Sequence, residues 1–447
     1  MNHKIFPTLT LVIFTLFNSA CTTVGPNYQQ PNMPLPKDYK ESAELSPMLI
    51  EQHWWEIYQD PILNQLIAQI ELHNYSLQAN QARLRQALSN QVIAQASQSP
   101  NVIAGGKNDL GIVANWEVDL WGRIQRNIEA NGALAEASAA DLAAAKLALQ
   151  AQLTQNYFLL RLKDKEISLL QNTVSSYQRS LQITQNQYKA GVTNKDNLAQ
   201  EQAQLSAALV QMNNAQIDRA KLEHSIAVLV GQTPREFSLE PAPIDMKVPQ
   251  VPLMLPSKLL ERRPDISAAE RRMAAASAKI GIAEAEAYPS LSVFAGVSIR
   301  KGLLGGGELS APLYTANATQ AMRKGALGVF DESVANYKQT ILNSFREVED
   351  NLVELQILQQ ASQAQAEVVK AGREVVGIMN NQYQAGVVNY QSIIIAQASA
   401  LTNERSALAL LGRRMLASVN LIKALGGGWD VQENNLQPTE QQLTKDE

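Results

Sequence analysis

A hexapeptide that occurs twice constrains the fold of this chain more than any other feature. Gln187-Tyr188-Lys189-Ala190-Gly191-Val192 returns 195 residues later as Gln382-Tyr383-Gln384-Ala385-Gly386-Val387, and each copy is followed by an asparagine, Asn194 or Asn389. The flanks match in kind. Arg83–Pro100 parallels Arg272–Pro289, each ending in a proline ahead of strand-like sequence. A repeat in the same order is the mark of duplication, so the chain reads as two copies of one unit. Each unit is expected to hold a shorter helix (about Ser76–Gln98 and Ile266–Ala287), then a strand-rich segment (about Asn101–Asp119 and Ser290–Tyr314). A very long helix follows (about Arg123–Lys189 and Gln320–Gln384), then a glycine turn and a returning helix (about Asn197–Val230 and Gln391–Leu425).

The long segments contain no proline and are rich in alanine, glutamine and leucine, which favour helix. At about 1.5 Å per residue each reaches on the order of 100 Å. Both carry a seven-residue apolar repeat: Leu153, Leu160, Ile167, Val174, Leu181 and Tyr188 in the first, and Val348, Leu355, Val369, Val376 and Tyr383 in the second, where Ser362 is the polar break. Heptads sustained this far imply helices packed side by side with left-handed supercoiling. The short and returning helices together roughly fill the length of the long one. They are expected to stack end to end beside it, so that each unit forms a strip of wall two helices wide.

Composition narrows the function. The 447 residues carry a formal net charge of −4 with no basic stripe, which argues against nucleic acid. Aromatics are only 6%, fitting long thin helices with a high surface-to-volume ratio. The single Cys21 allows no internal disulfide, and His3, His53, His73 and His224 are scattered without ligand spacing. Neither a metal site nor a cofactor is expected.

The N-terminus carries an address. His3 and Lys4 precede an apolar run from Ile5 to Phe17, then Ser19, Ala20 and Cys21. This reads as a secretory signal over residues 1–20 whose apolar core is too short to span a bilayer. A cysteine directly after small residues resembles a bacterial lipobox, which would make Cys21 the lipid-attachment residue of the mature N-terminus; an ordinary cleavage site that happens to precede a cysteine is the competing reading. No later stretch reaches the roughly 18 apolar residues of a spanning helix, so any membrane crossing must be by strands. Candidate strands are Val102–Lys107, Ile112–Val118, Leu291–Ile299 and Leu309–Tyr314, with Asn108-Asp109 and Gly305-Gly306-Gly307 as the turns. Several barely reach the 9–11 residues a membrane strand needs, so soluble β-ribbons are the competing reading. Four strands cannot close a barrel, whereas three chains supply twelve strands and twelve helix columns together.

The motifs along the chain point to one family. They are Cys21-Thr-Thr-Val-Gly-Pro-Asn-Tyr28, Trp54-Trp55 with Asp60-Pro61-Ile-Leu63, and Trp116-Glu-Val-Asp-Leu-Trp-Gly-Arg123. Glu261-Arg-Arg-Pro-Asp-Ile266 follows, with Ala283 to Pro289 behind it, then Phe345-Arg-Glu-Val-Glu-Asp350 and Leu421-Ile-Lys-Ala-Leu-Gly-Gly-Gly-Trp429. In these the chain resembles the TolC-like outer-membrane factors, in the lipoprotein branch that serves resistance-nodulation-division pumps. The resemblance implies a mostly α fold: an α-barrel tunnel of long antiparallel coiled-coil helices, with four strands per chain completing a twelve-stranded barrel in a homotrimer. It implies an efflux duct for drugs and other small toxic compounds, lipid-anchored in the outer membrane and extending into the periplasm. Its partners would be a periplasmic adaptor and an inner-membrane pump. Gly191, Val192, Gly386 and Val387 match the family's periplasmic tips, where the adaptor docks. Asp196, Tyr390, Ile394 and Ile395 lie where a gate is expected. Ile393, Ile394 and Ile395 stand where relatives often carry an aspartate, which suggests closure by dewetting.

On this reading the chain divides into a signal peptide (1–20), an N-terminal lipoprotein and equatorial segment (21–75), a first repeat (76–262), a second repeat (263–425) and a tail (426–447). Two other transport or structural readings stay open, a protein-secretion duct of the same architecture and a non-conducting coiled-coil lipoprotein that spans the periplasm. An envelope enzyme is the third. Glu117/Asp119 and Glu347/Glu349/Asp350 offer acid pairs, but no nucleophile–base set accompanies them, and solvated helix carboxylates are the expected role.

Overall fold

The computed structural model describes residues 23–31, 33–34, 36–41, 51–105, 111–242, 247–252, 259–312 and 317–429. The signal segment, Cys21, the Asn108-Asp109 turn, Tyr314 and the tail beyond Trp429 lie outside these residues. A 3-10 turn, Trp54–Tyr58, leads into α1 (Pro61–His73) and α2 (Tyr75–Ala96). The hairpin β1 (Asn101–Gly105) and β2 (Gly111–Val118) follows, then α3 (Arg123–Lys189) and α4 (Lys195–Leu229). After a single turn, α5 (Leu259–Arg262), the plan repeats as α6 (Pro264–Ala285), β3 (Ser290–Ser298), β4 (Gly302–Ser310), α7 (Ala318–Gln384) and α8 (Tyr390–Ala424).

The duplication is metrical. The paired helices have equal lengths: 22 residues in α2 and α6, 67 in α3 and α7, 35 in α4 and α8. Left-handed backbone recurs at the same interval of 195 residues, at Gly122 and Asn317, Gly191 and Gly386, Gly231 and Gly426. Asparagine is the side chain that tolerates this region best after glycine, which accounts for the one exchange.

End-to-end stacking is observed in both copies, and each joint is closed by a side chain reaching a helix's last carbonyls. Asn74 Nδ2 donates to Leu229 O at 2.8 Å, seating α2 on the end of α4. In the second copy Arg263 Nη1 donates to Ala424 O at 2.9 Å, seating α6 on the end of α8. Glycine is required on the far side of both joints. A Cβ on Gly231 would lie 2.3 Å from His73 O, and one on Gly426 would lie 1.9 Å from Arg262 O. The protomer is therefore four columns wide, in the order α2 with α4, then α3, then α6 with α8, then α7.

The main core sits at this equator. Trp54, Trp55, Leu63, Ile67 and Ile70 pack onto Leu153, Tyr157 and Leu160 of α3, and onto Val419, Leu421 and Ile422 of α8. The heptad positions of α3 are buried from Leu153 to Leu181, whereas Tyr188 at the tip is 42% exposed. In α7 only Val348 of the heptad set is buried. The difference follows from position: α3 has columns on both sides and α7 has one.

The strand boundaries correct one expectation. Gly305-Gly306-Gly307 is not a turn but the centre of β4, and the reversal is made by Ile299–Lys301. The glycines make room for an aromatic ring. Phe294 stands directly opposite Gly306, and a Cβ there would come within 3.0 Å of its ring carbons.

Gly426→Ala is expected to cost about 3 kcal/mol or more, because it combines a left-handed backbone with a carbonyl clash. Thermal unfolding of the detergent-extracted protein checks this; an unchanged midpoint would remove the joint from its structural role.

Candidate functional site

The four strands form one antiparallel sheet in the order β1-β2-β3-β4, so the central pairing, β2 with β3, joins the two repeats. Residues directly opposite on a ladder share a face. One face holds Val102 and Ala104 of β1, and Ile112, Ala114, Trp116 and Val118 of β2. It continues through Leu291, Val293, Ala295 and Val297 of β3 to Leu303, Gly305, Gly307 and Leu309 of β4. Not one of these is polar. The other face carries Asn101, Asn115, Glu117, Ser290, Ser292, Ser298, Glu308 and Ser310, with Ile103, Val113, Phe294 and Leu304 among them. An unbroken apolar face, backed by one that holds every asparagine, serine and glutamate of the sheet, is the pattern of a barrel sheet with lipid outside and water inside. The nine-residue β3, tilted about 40°, reaches roughly 23 Å, close to the apolar height of outer-membrane barrels. Among the described residues no helix is long and apolar enough to cross a membrane.

The helix-side rim of the sheet is fixed by the sequence motifs. Trp121 stacks on Tyr288 with ring centroids 4.7 Å apart, and its Nε1 donates to Pro289 O at 2.7 Å. Glu117 receives both Nη2 and Nε of Arg123, and Asp119 Oδ2 accepts the Gln125 amide at 2.8 Å. The first acid pair is thus a salt bridge and a helix cap. Of the second set, Glu347 binds Arg263 Nη1 at 2.9 Å, and Glu349 accepts the amides of Lys40 and Glu41. These carboxylates are taken up by structural bonds, and no group of three or more potential metal ligands occurs among the described residues.

The segment before the first helix is a strap across both repeats. Val24 N donates to Trp121 O, and the buried Arg126 donates to Val24 O, Gly25 O and Asn27 Oδ1. Farther along, Tyr28 binds Glu270, and Gln30 donates to Tyr337 Oη at 3.0 Å. The strap starts at Thr23, beside Gly122 at the base of the sheet, two residues after Cys21.

The opposite end of the helices carries the tips. At both, a glycine at φ near +70° closes the long helix in a Schellman turn. Val192 N donates to Gln187 O and Gly191 N to Tyr188 O, and Val387 and Gly386 repeat the pattern on Gln382 and Tyr383. Nothing lies within 4 Å of a Cβ on either glycine, and Val192 and Val387 are 75% and 70% exposed. Two apolar side chains are therefore presented bare at the apex of each protomer.

Near the tips the structure distributes the predicted gate residues over both hairpins. Asp196 is exposed in the first turn of α4, Ile395 is 60% exposed on α8, and Ile394 is buried within the protomer. Tyr390 opens α8, packs edge-on to Tyr383 and hydrogen-bonds Ser180 of α3. Burial, reinforced by the carboxylate of Glu201, pushes its phenol well above the usual range. Ser180, Thr184 and Glu201 were not singled out in the sequence. Thr184 occupies a heptad core position, and a polar residue there was the available signal. Glu201 is 1% exposed, and its Oε2 has no partner among the described residues.

A second polar tie joins the repeats nearer the equator. Arg405 of α8 reaches Glu166 of α3 at 2.7 Å, and Lys163 reaches the same carboxylate at 2.8 Å. Burial pushes the Glu166 carboxyl up, but Lys163 and Arg405 outweigh it and hold it below the ordinary range.

Ala295→Arg, at mid-strand on the apolar face, is expected to destabilise the membrane-inserted protein by about 2–4 kcal/mol. Ser292→Arg on the polar face costs far less. Equal effects in a lipid-vesicle unfolding titration would overturn the assignment of faces. For Glu166, a depressed folded pKa contributes stability that is complete above the unfolded value, about 4.3, and is lost as pH falls through the lower folded value. Stability measured between pH 7 and pH 3 should therefore fall at the acid end, and less so in Glu166→Gln.

Comparison with known proteins covers nearly the whole chain. The chain is 27% identical over 466 residues to the probable efflux pump outer membrane protein TtgC of Pseudomonas putida, covering 94% of this chain and 95% of that one. It is 26% identical to the probable outer membrane lipoprotein SilC of Salmonella typhimurium, covering 94% and 98%. The solved outer-membrane channel OprN superposes with a TM-score of 0.84 at 26% identity, over 91% of this chain and 99% of that one. A family model described as outer membrane efflux protein matches residues 66–232 and 255–427, one block for each repeat. This chain belongs to the outer membrane efflux protein family.

Proposed function

We propose that three copies of this chain close into one duct through which a tripartite pump discharges drugs and other small toxic compounds across the outer membrane. The observation that carries the reading is that a single chain is open at both levels along the same edges. In the sheet, β1 and β4 each have one unpaired side. In the wall, the α2/α4 column and α7 are the outermost, and they expose Val92, Ile93, Val210 and Ile217 on one edge and Val329, Leu342 and Ile357 on the other. An unpaired strand edge is not tolerated in lipid, and a row of bare aliphatics is not stable in water. Joining α7 to the α2/α4 column of the next copy covers the second, and the same rotation pairs β4 with β1. Three copies give twelve strands and twelve columns.

In this assembly Cys21, two residues before Thr23 at the base of the sheet, carries the lipid. The repeat limits, 76–262 and 263–425, are the working units of the wall. Gly191, Val192, Gly386 and Val387 dock a periplasmic adaptor, with a resistance-nodulation-division pump beyond it in the inner membrane. Asp196, Tyr390 and Ile395 face the closing aperture, and buried Ile394 holds the first turns of α8 in place. The Tyr390–Ser180 bond ties the second-repeat hairpin to the first, so it must break when the hairpins part. The duct performs no chemistry of its own.

Single-channel recording on the reconstituted protein tests the reading, and a folded trimer without conductance would leave only the non-conducting lipoprotein. Tyr390→Phe combined with Ser180→Ala is expected to raise open probability several-fold. Val192→Asp with Val387→Asp should reduce drug export in cells to the level of an empty vector while leaving the conductance of the isolated channel intact. Loss of both together would show a folding defect rather than a docking site.

A further inference from the structure

The seam inside the chain is a template for its two outer edges. α3 of the first repeat packs against the α6/α8 column of the second. Its counterpart α7 has no column on its far side among the described residues, and the counterpart of α6/α8, the α2/α4 column, is bare on one side. Paired helices have equal lengths, so each inner contact has a counterpart on these edges. The interval of 195 residues carries α3 onto α7 and α4 onto α8. α2 and α6 correspond by position along their 22 residues.

Three inner contacts decide what the outer edges would hold. Gly412 of α8 lies so close to α3 that a Cβ there would come within 2.8 Å of Leu162 Cδ1. The corresponding residues are Ile217 of α4 and Ile357 of α7, 52% and 55% exposed. One turn nearer the tip, Arg405 reaches Glu166 at 2.7 Å. Its counterparts are Val210, 59% exposed, and Ala361. On the sheet side of the joint, Arg272 of α6 pairs with Asp141 of α3. There the counterparts are Arg83 of α2 and Asn336 of α7, both exposed. Each outer pair is matched in kind, aliphatic with aliphatic and guanidinium with amide oxygen, which nothing inside the protomer requires. The ionic tie is where the two seams differ, and the difference tells the columns apart. An Arg405 column set against Ala361 would bury a guanidinium without its carboxylate, so this edge of α7 accepts α2/α4 and rejects α6/α8.

We propose that the contact between copies repeats the contact between repeats in the same register: Ile217 of one copy meets Ile357 of the next, Val210 meets Ala361, and Arg83 meets Asn336. The occupant of each edge is a second copy of this chain. The proposal rests on the three-copy reading and adds to it a register and a recognition element, aliphatic where the inner seam is ionic.

The test uses the full chain in mild detergent, treated with a short bis-methanethiosulfonate linker and resolved by denaturing electrophoresis. Ile217→Cys with Ile357→Cys should give covalent trimer. Ile217→Cys with Ala364→Cys, displaced along α7 by about 10 Å, should not. The unaltered chain, with Cys21 alone, sets the background. Native mass spectrometry then reads the recognition element. Val210→Arg should raise the monomer fraction by at least about tenfold, and adding Ala361→Glu, which rebuilds the inner tie on the outer seam, should reverse most of that. Val210, Ile217 and Ile357 are exposed in the protomer, so its own fold is not at stake. A trimer by mass that links only through the displaced pair, or through neither, overturns the register. So does a double variant that dissociates as fully as Val210→Arg alone. A monomeric unaltered chain would strike the three-copy reading itself and overturn the register with it.

Discussion

Everything in this protomer depends on keeping a helical wall of constant thickness across a break in the chain. A 67-residue helix cannot be flanked by one partner of equal length when the chain must also leave for the membrane, so each flank is made of two helices laid end to end. The break falls at the equator, where four unsatisfied carbonyls and four unsatisfied amides face each other. Asn74 and Arg263 supply the missing donors on Leu229 O and Ala424 O, and glycines let the backbones approach. The remaining motifs converge here. Arg263 holds Glu347 and Asp265, Gly427 makes room for Leu147, and Gly428 approaches the backbone of Glu51. With the joints fixed, the lengths of α3 and α7 set how far the tips reach, and the strands leave the other end in register.

The two repeats share this skeleton but not its surroundings. At the joint, a neutral amide in the first copy is replaced by a guanidinium in the second, with Asp265 of α6 and Glu347 of α7 to match. The first copy is enclosed by the second, so its heptad seam is buried along most of its length. The second has a free flank, and its seam thins to partly buried valines with Ser362 in their midst. On the proposed assembly, that flank receives the next copy. Polar ties between the repeats run down the α3–α8 seam, Gln155 with Asn420 near the equator, Glu166 with Arg405 below it and Ser180 with Tyr390 at the tip, and Arg271 and Arg272 of α6 add ion pairs to Glu136 and Asp141 of α3. Polar pairs inside a helical seam fix register, because sliding either helix by one turn leaves buried groups unpaired.

Sequence periodicity made most of this fold legible. The long helix of the first repeat begins and ends where its composition changes, at Arg123 and Lys189, because nothing inside it competes with helix. The tips were legible because glycine is the residue that ends a helix in the left-handed region. The β4 strand was less so. Three consecutive glycines normally signal a turn, and their pairing with Val293–Ala295 of the neighbouring strand, where Gly306 makes room for the ring of Phe294, is a non-local fact. Glu201 and Ser180 were illegible for the same reason: their meaning comes from Tyr390, about two hundred residues away. Where a residue's role is set by its own helix the pattern reveals it, and where it is set by a partner across the seam it does not.

The tip shows how such a seam can be made to open. An all-apolar contact between α3 and α8 would be strongest when dry and would resist parting along its whole length. The contact here becomes polar toward the apex, with Thr184, Ser180, Glu201 and Tyr390 taking the place of further leucines. A buried carboxylate with one oxygen unpaired, as at Glu201, is costly in this arrangement of the tip. Hydration on parting recovers that cost, whereas the apolar layers near Leu170, Ile167 and Leu401 gain nothing from water. On the proposed duct reading, parting of this seam begins at the apex and stops at the Glu166–Arg405 tie, where a paired charge loses its partner if separation goes further.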